Sequence, residues 1–77
     1  MRVLHGGADA NIRFGDLQTL LVDLGFSERI KGSHHIFTRP DIAEILNLQP
    51  RGSLAKPYQV NQVCKVTVRY NLEEAAE

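Results

Sequence analysis

The clearest periodic pattern in the chain is the leucine stripe of the segment FGDLQTLLVDLGF. Its leucines recur at intervals of three and four residues, which predicts an amphipathic helix over residues 15–24. Asp16 lies at the end of this helix where the helix dipole favours negative charge. Gly25 stands where a left-handed C-terminal cap is expected.

Three short segments after this helix alternate apolar and polar residues with the period typical of β-strands. They predict strands over residues 26–31, 34–39 and 44–49. Lys31, Gly32 and Ser33 form a tight turn between the first two, and proline-containing segments end the second and the third. Connections this short predict an antiparallel meander.

The last element is predicted to be a helix over residues 57–70 because Pro57 is favoured at the first helical position. Val60, Val63, Thr67 and Tyr70 fit one helical stripe. The segment CKVTVRY alone also fits a strand, because it alternates and is rich in β-branched residues.

The order helix, three strands, helix predicts an α+β fold with the two helices on one face of a three-stranded antiparallel sheet. Burial then sets the phase of each strand, with Phe26, Ile30, Phe37, Leu46 and Leu48 facing the helices. This phase puts His35 inside and His34 on the open face; if Ile36 is a core residue instead, the two histidines exchange places. The other open-face residues are Ser27, Arg29, Lys31, Ile36, Thr38, Asn47 and Gln49, and none of them is a carboxylate.

Length and composition are typical of one small soluble domain of 77 residues, 43% of them hydrophobic. We divide it into an irregular leader (1–13), a domain (14–72) and an acidic tail (73–77). The single cysteine, Cys64, excludes an internal disulfide. Because no apolar run is long enough for a membrane span or an export signal, we expect a cytoplasmic protein.

Charge is balanced overall but unevenly placed. The formal net charge is zero, and three of the nine carboxylates lie in the tail, so the body carries a net +3. A mildly basic body is compatible with a polyanionic partner.

The stretch KGSHHIF carries the candidate chemistry. A histidine can move protons near neutral pH, and Gly32 and Lys31 beside it suit the approach of a phosphate. A surface histidine with no function is the plain alternative for His34. We find no arrangement for acyl transfer and no metal-ligand spacing, because His34 and His35 diverge.

A second polar stretch, PRGSLAKPY, precedes the last helix. Arg51 and Lys56 lie beside the end of that helix that favours anions, where an RNA backbone could bind. The alternative is a linker that only ends a strand and begins a helix.

KGSHHIF, with LLVDLGF before it and LNLQPRGSLAKPYQVNQV after it, resembles the HicA family of toxin ribonucleases of bacterial toxin–antitoxin systems. The resemblance covers roughly residues 14–72. It implies a fold similar to a double-stranded-RNA-binding domain, and an mRNA interferase that arrests growth. It also implies a HicB-type antitoxin that covers the active site.

The resemblance places the family's catalytic histidine at His34 and its glycine at Gly32. It implies metal-independent acid–base cleavage of RNA with no cofactor. The partner of His34 in proton transfer is open, with His35, water and a second protomer as alternatives. The residues that we expect to contact the substrate are Lys31, Gly32, Ser33, His35, Arg51 and Lys56.

Two other functions are compatible with the same fold. A non-catalytic RNA-binding module would bind RNA with strong salt dependence and leave it intact. A protein-interaction domain would do neither, and its only support is the neutral net charge.

Overall fold

The structure is a computed structural model that describes residues 12–72. The predicted tail and residues 1–11 of the predicted leader lie outside the described residues. The predicted α-β-β-β-α fold is confirmed. Its elements are α1 (Phe14–Asp23), β1 (Ser27–Lys31), β2 (His34–Arg39), β3 (Ile42–Leu48) and α2 (Pro57–Arg69).

The first helix ends in a Schellman motif, which its sequence explains. Gly25 has φ +97°, a conformation that glycine adopts without steric cost. The N–H groups of Gly25 and Phe26 donate to the carbonyls of Val22 and Leu21 at 2.9 and 3.0 Å. Both Phe26 and Leu21 are buried, so the motif also turns the chain into β1 over the core.

The second helix begins at Pro57, as predicted, and ends in the same motif. Asn71 takes the left-handed position, with φ +55°, and Leu72 N–H donates to the carbonyl of Thr67 at 2.9 Å. The strand-like segment CKVTVRY is therefore helical. Its buried residues recur at helical spacing, and they cover one side of the sheet.

The sheet is an antiparallel meander in the order β1-β2-β3. Gly32 and Ser33 form the two-residue turn between Lys31 and His34, and Gly32 has φ +61°. A β-bulge interrupts the pairing of β2 with β3 between Phe37 and Arg39. Beyond the bulge β3 continues to Ile42, so it begins two residues earlier than predicted.

Both helices pack on one face of the sheet and enclose a single core. The side chains of Leu17, Leu21, Phe37, Leu46 and Val63 are fully buried there. Burying a leucine or phenylalanine stabilises a fold by about 1.5–3 kcal/mol, so this layer holds the domain together. Ile30 has the predicted phase, since it pairs with His35, but it is 61% exposed and lies outside the packed core.

The N-termini of both helices lie at the end of the sheet where β2 begins. Ala55 N–H donates to the carbonyl of Ile12 at 2.8 Å, and Phe14 N–H donates to the carbonyl of Ser53 at 2.9 Å. Ile12 is buried in the core. These bonds join the start of α1 to the loop that precedes α2, at the same end as the β1–β2 turn.

Candidate functional site

His34 opens β2, and its side chain is exposed on the face of the sheet that neither helix covers. Its partner across the ladder in β1 is Lys31. On the other side, His34 Nδ1 lies 3.0 Å from Oδ1 of Asn47 in β3. The exposed imidazole therefore lies between a cationic residue of β1 and a neutral amide of β3.

The open face carries positive charge and no carboxylate among residues 12–72. Arg29 and Lys31 of β1 are exposed there. The two strand glutamates point to the opposite side, since Glu28 contacts α1 and Glu44 contacts α2. Because strand side chains alternate between faces, each of these placements follows from register.

His35 lies on the helix side of the sheet, and only 17% of its side chain is exposed. Its ring packs edge-on against Phe14 with 4.8 Å between centroids. Its Nδ1 donates to Glu28 Oε2 at 2.7 Å, and Gln18 donates to the same oxygen at 2.6 Å. The structure thus separates His35 from His34 and ties it to α1.

Glu28 has a lowered pKa, and two opposing effects set it. Burial alone would raise the pKa of this carboxyl, but the hydrogen bonds from His35 and Gln18 favour the charged form. Together with the attraction of His35, these bonds bring the pKa of Glu28 below its ordinary value of 4.5. The sequence predicted no role for Glu28, although strand alternation puts it on the face of His35.

Gly32 and Ser33 lie in the exposed turn between Lys31 and His34, so the structure brings these four residues together. The turn is joined to the residue that follows β3, because Gln49 Nε2 donates to Ser33 Oγ at 3.0 Å. Apart from the two chain neighbours of Gly32, no residue has an atom within 4 Å of the position that its Cβ would take. The turn backbone is therefore open to a ligand.

Arg51 and Lys56 lie in the loop after β3, at the end of the sheet that carries the turn. Arg51 is exposed in a turn closed by two hydrogen bonds with Leu54, at 2.9 and 3.0 Å. Lys56 is the N-cap residue of α2 and is half-buried. Neither pairs with a carboxylate within the described part of the chain.

A second polar cluster lies at the opposite end of the sheet and serves packing. Tyr70 donates to Glu44 Oε1 at 2.7 Å, and Arg69 donates to Oε2 at 2.6 Å. The hydrogen bond from Tyr70 is the main cause that lowers the pKa of Glu44, and the same bond raises the pKa of Tyr70. This cluster fastens the end of α2 to β3.

Asn47 is a neighbour of His34 for which no role was predicted from the sequence. The predicted phase put both side chains on the open face, but their contact depends on the register of β2 with β3. That register pairs Ile36 with Asn47 and leaves His34 diagonal to it. Diagonal neighbours on one sheet face are within reach of longer side chains.

The surroundings of His34 are open surface. A cleft of about 390 Å³ lies elsewhere, on the outer side of α2 beside Cys64 and Val68. Within residues 12–72, no group of three or more histidine, cysteine or carboxylate side chains is placed to hold a metal ion. Neither described helix is long and apolar enough to cross a membrane.

Comparison of the chain with protein-family models, curated proteins and solved structures finds no match. The resemblance to HicA toxins is therefore a hypothesis that depends on the sequence motif.

Proposed function

We propose that this protein is a HicA-type endoribonuclease that cleaves messenger RNA in the cytoplasm, with His34 as its catalytic residue. The observation that supports this most is the exposed His34 imidazole beside Lys31, on a sheet face without described carboxylates. Such a face attracts a polyanion and brings its phosphates to a group that can transfer protons.

The proposed reaction uses the ribose 2′-hydroxyl as the nucleophile. His34 takes the proton of this hydroxyl while O2′ forms a bond to the adjacent phosphorus. The bond from phosphorus to O5′ breaks, and O5′ receives a proton as it leaves. The products are a 2′,3′-cyclic phosphate and a 5′-hydroxyl end, so the reaction consumes no oxidant or co-reactant.

Lys31 is proposed to stabilise the charge that develops on the phosphate oxygens, since it stands opposite His34 in the ladder. Arg51 and Lys56 are proposed to bind phosphates further along the strand. Because His35 faces the helices, we assign the proton donor for the leaving O5′ to water or to a group of a second protomer.

An open surface suits a polymer better than a small metabolite. Pockets for small molecules bury most of the ligand in a concave site. A nucleic acid strand can instead lie across a sheet face and be bound through its phosphates. The open face and the turn at its end provide a surface of this kind.

The resemblance also implies a protein partner. We propose that a HicB-type antitoxin neutralises the enzyme by covering the open face around His34. If so, a HicB-like protein encoded next to this one should bind the purified chain and suppress RNA cleavage in proportion to the amount bound.

The decisive experiment compares RNA cleavage by purified wild type and His34→Ala. Removing the imidazole should slow cleavage by roughly 10² to 10⁴-fold, the usual contribution of general acid–base catalysis. Product ends should carry a cyclic phosphate. In cells, wild type should arrest growth on expression and His34→Ala should be tolerated.

Thr38→Ala is the matched control, because Thr38 is an exposed residue of the same strand on the same face. It should cleave at the wild-type rate. Equal cleavage by wild type and His34→Ala would overturn the proposal. Intact RNA with a salt-dependent mobility shift would instead identify a non-catalytic RNA-binding module.

A further inference from the structure

The geometry points to Asn47 as the positioning residue that fixes the orientation and tautomer of His34. The catalytic part of this inference rests on the proposed function, whereas the structural part depends only on one contact. Asn47 Oδ1 lies 3.0 Å from His34 Nδ1. An amide oxygen can only accept a hydrogen bond, so Nδ1 must donate.

The contact determines where the proton of the neutral ring resides. A neutral imidazole has one protonated nitrogen and one with a free lone pair. With the proton on Nδ1, the lone pair is on Nε2, at the far side of the ring from Asn47. Nε2 is then the atom that can take the proton of a ribose 2′-hydroxyl.

An amide is suited to this role because it orients the ring without adding charge. A carboxylate in the same place would favour the charged imidazolium, which cannot act as a base. The charged groups on the open face beside His34 are Lys31 and Arg29 of β1. The described part of β3 contributes only uncharged side chains to this face, namely Ala43, Ile45 and Asn47.

The strand register explains why Asn47 is available. β3 stands beside β2 on the side away from Lys31, so His34 has one neighbour from each strand. Asn47 itself is exposed, and within residues 12–72 its side chain forms one hydrogen bond, to His34. Replacing Asn47 should therefore alter the imidazole and leave the core unchanged.

Nuclear magnetic resonance on the full chain tests the structural part directly. Long-range ¹H–¹⁵N correlations report which ring nitrogen of each histidine is protonated, and His34→Gln identifies the His34 signals. We expect protonated Nδ1 and free Nε2 in the neutral ring of the wild type. Asn47→Ala should move the population toward the Nε2-protonated tautomer, and Asn47→Asp should retain protonated Nδ1.

Cleavage kinetics test the catalytic part. Asn47→Ala should lower kcat by roughly 10- to 100-fold, less than the 10² to 10⁴-fold expected for removing an acid–base group, and leave KM nearly unchanged. Asn47→Asp should recover part of the rate and move the acid limb of the pH–rate profile to higher pH. A purely structural role for Asn47 would not move that profile.

The outcomes separate this inference from the proposed function. An unchanged His34 tautomer in Asn47→Ala, or protonated Nε2 in the wild type, overturns the assignment even if the wild type cleaves RNA. The expected tautomers in a wild type that cleaves no RNA overturn the nuclease proposal and, with it, the catalytic role of Asn47.

Discussion

At the scale of single residues, two consecutive histidines have opposite surroundings because side chains alternate along a strand. His34 is exposed beside Lys31, whereas His35 is held by Glu28 and packed against Phe14. The contrast depends on Glu28, whose charge anchors the second imidazole. The sequence alone does not show that Glu28, seven residues away on another strand, is the partner of His35.

Glu28→Gln tests the contribution of that charge to stability. Because the pKa of Glu28 is lowered in the folded state, its stabilisation is present above its ordinary pKa of 4.5 and is lost as pH falls through the folded value. When unfolding by urea is measured between pH 7 and pH 3, the free energy of unfolding should therefore fall more steeply in the wild type than in Glu28→Gln.

The control for this experiment is Asp23→Asn, an exposed carboxylate of α1 outside the Glu28 hydrogen bonds. The free energy of unfolding of Asp23→Asn should fall in acid as steeply as that of the wild type. Parallel unfolding curves for wild type and Glu28→Gln across the acid range would contradict the assigned role.

At the scale of elements, local patterns predicted both helices to within one residue and placed every strand. The leucine stripe and Pro57 each indicate a single helix, so these helices can be predicted without tertiary information. The start of β3 was predicted two residues late because the bulge depends on pairing with β2. The exposure of Ile30 also depends on tertiary packing, which no local pattern records.

Gly25→Ala tests the end of α1. A side chain at φ +97° is strained, and an L-residue in this region costs about 1–2 kcal/mol, so the free energy of unfolding should fall by that amount. The added Cβ would lie 3.6 Å from Arg39, an ordinary contact, so the loss reports on the backbone conformation. Chemical denaturation measures it.

Gly15→Ala provides the opposite case on the same helix. Apart from the chain neighbours and the backbone of α1 itself, no atom lies within 4 Å of the position that a Cβ would take there. Alanine in a helix is favoured over glycine by about 0.5–1 kcal/mol, so this variant should be more stable than wild type. A loss of stability in Gly15→Ala or none in Gly25→Ala would contradict the description of α1.

At the scale of the whole molecule, the sheet separates a packed side from an open side. Strand phasing placed His34, Lys31 and Asn47 together on the open side, and the hairpin brought Gly32 and Ser33 beside them. The contact of His34 with Asn47 could not be predicted, because it requires the register between two strands. Arg51 and Lys56 reach the same end of the sheet through a loop whose path sequence patterns do not specify.

Substitutions at two adjacent residues, Phe37→Ala and Ile36→Ala, test which side of the sheet packs against the helices. Phe37 is fully buried, and replacing a core phenylalanine by alanine costs about 3–5 kcal/mol. That loss is a large part of the total stability expected for a small domain, so Phe37→Ala should be substantially unfolded.

Ile36 lies on the open face, so Ile36→Ala should lower the free energy of unfolding by about 1 kcal/mol or less. Circular dichroism during thermal unfolding distinguishes the two variants. If Ile36→Ala is the more damaging, the sheet is phased the other way, and His34 lies beneath the helices.

The bulge between β2 and β3 divides the ladder into two parts that differ in register. Arg39 and Ile42 pair next to the connection at Pro40, whereas His35 and Leu48 pair on the other side of the bulge. Lengthening or shortening that connection can therefore be absorbed before it reaches the half that holds His34. Deleting Leu48 cannot be absorbed in this way, because strand alternation would then put the polar side chain of Gln49 in the core position that Leu48 occupies. Over evolutionary time, insertions and deletions should accumulate at the first place and be excluded from the second.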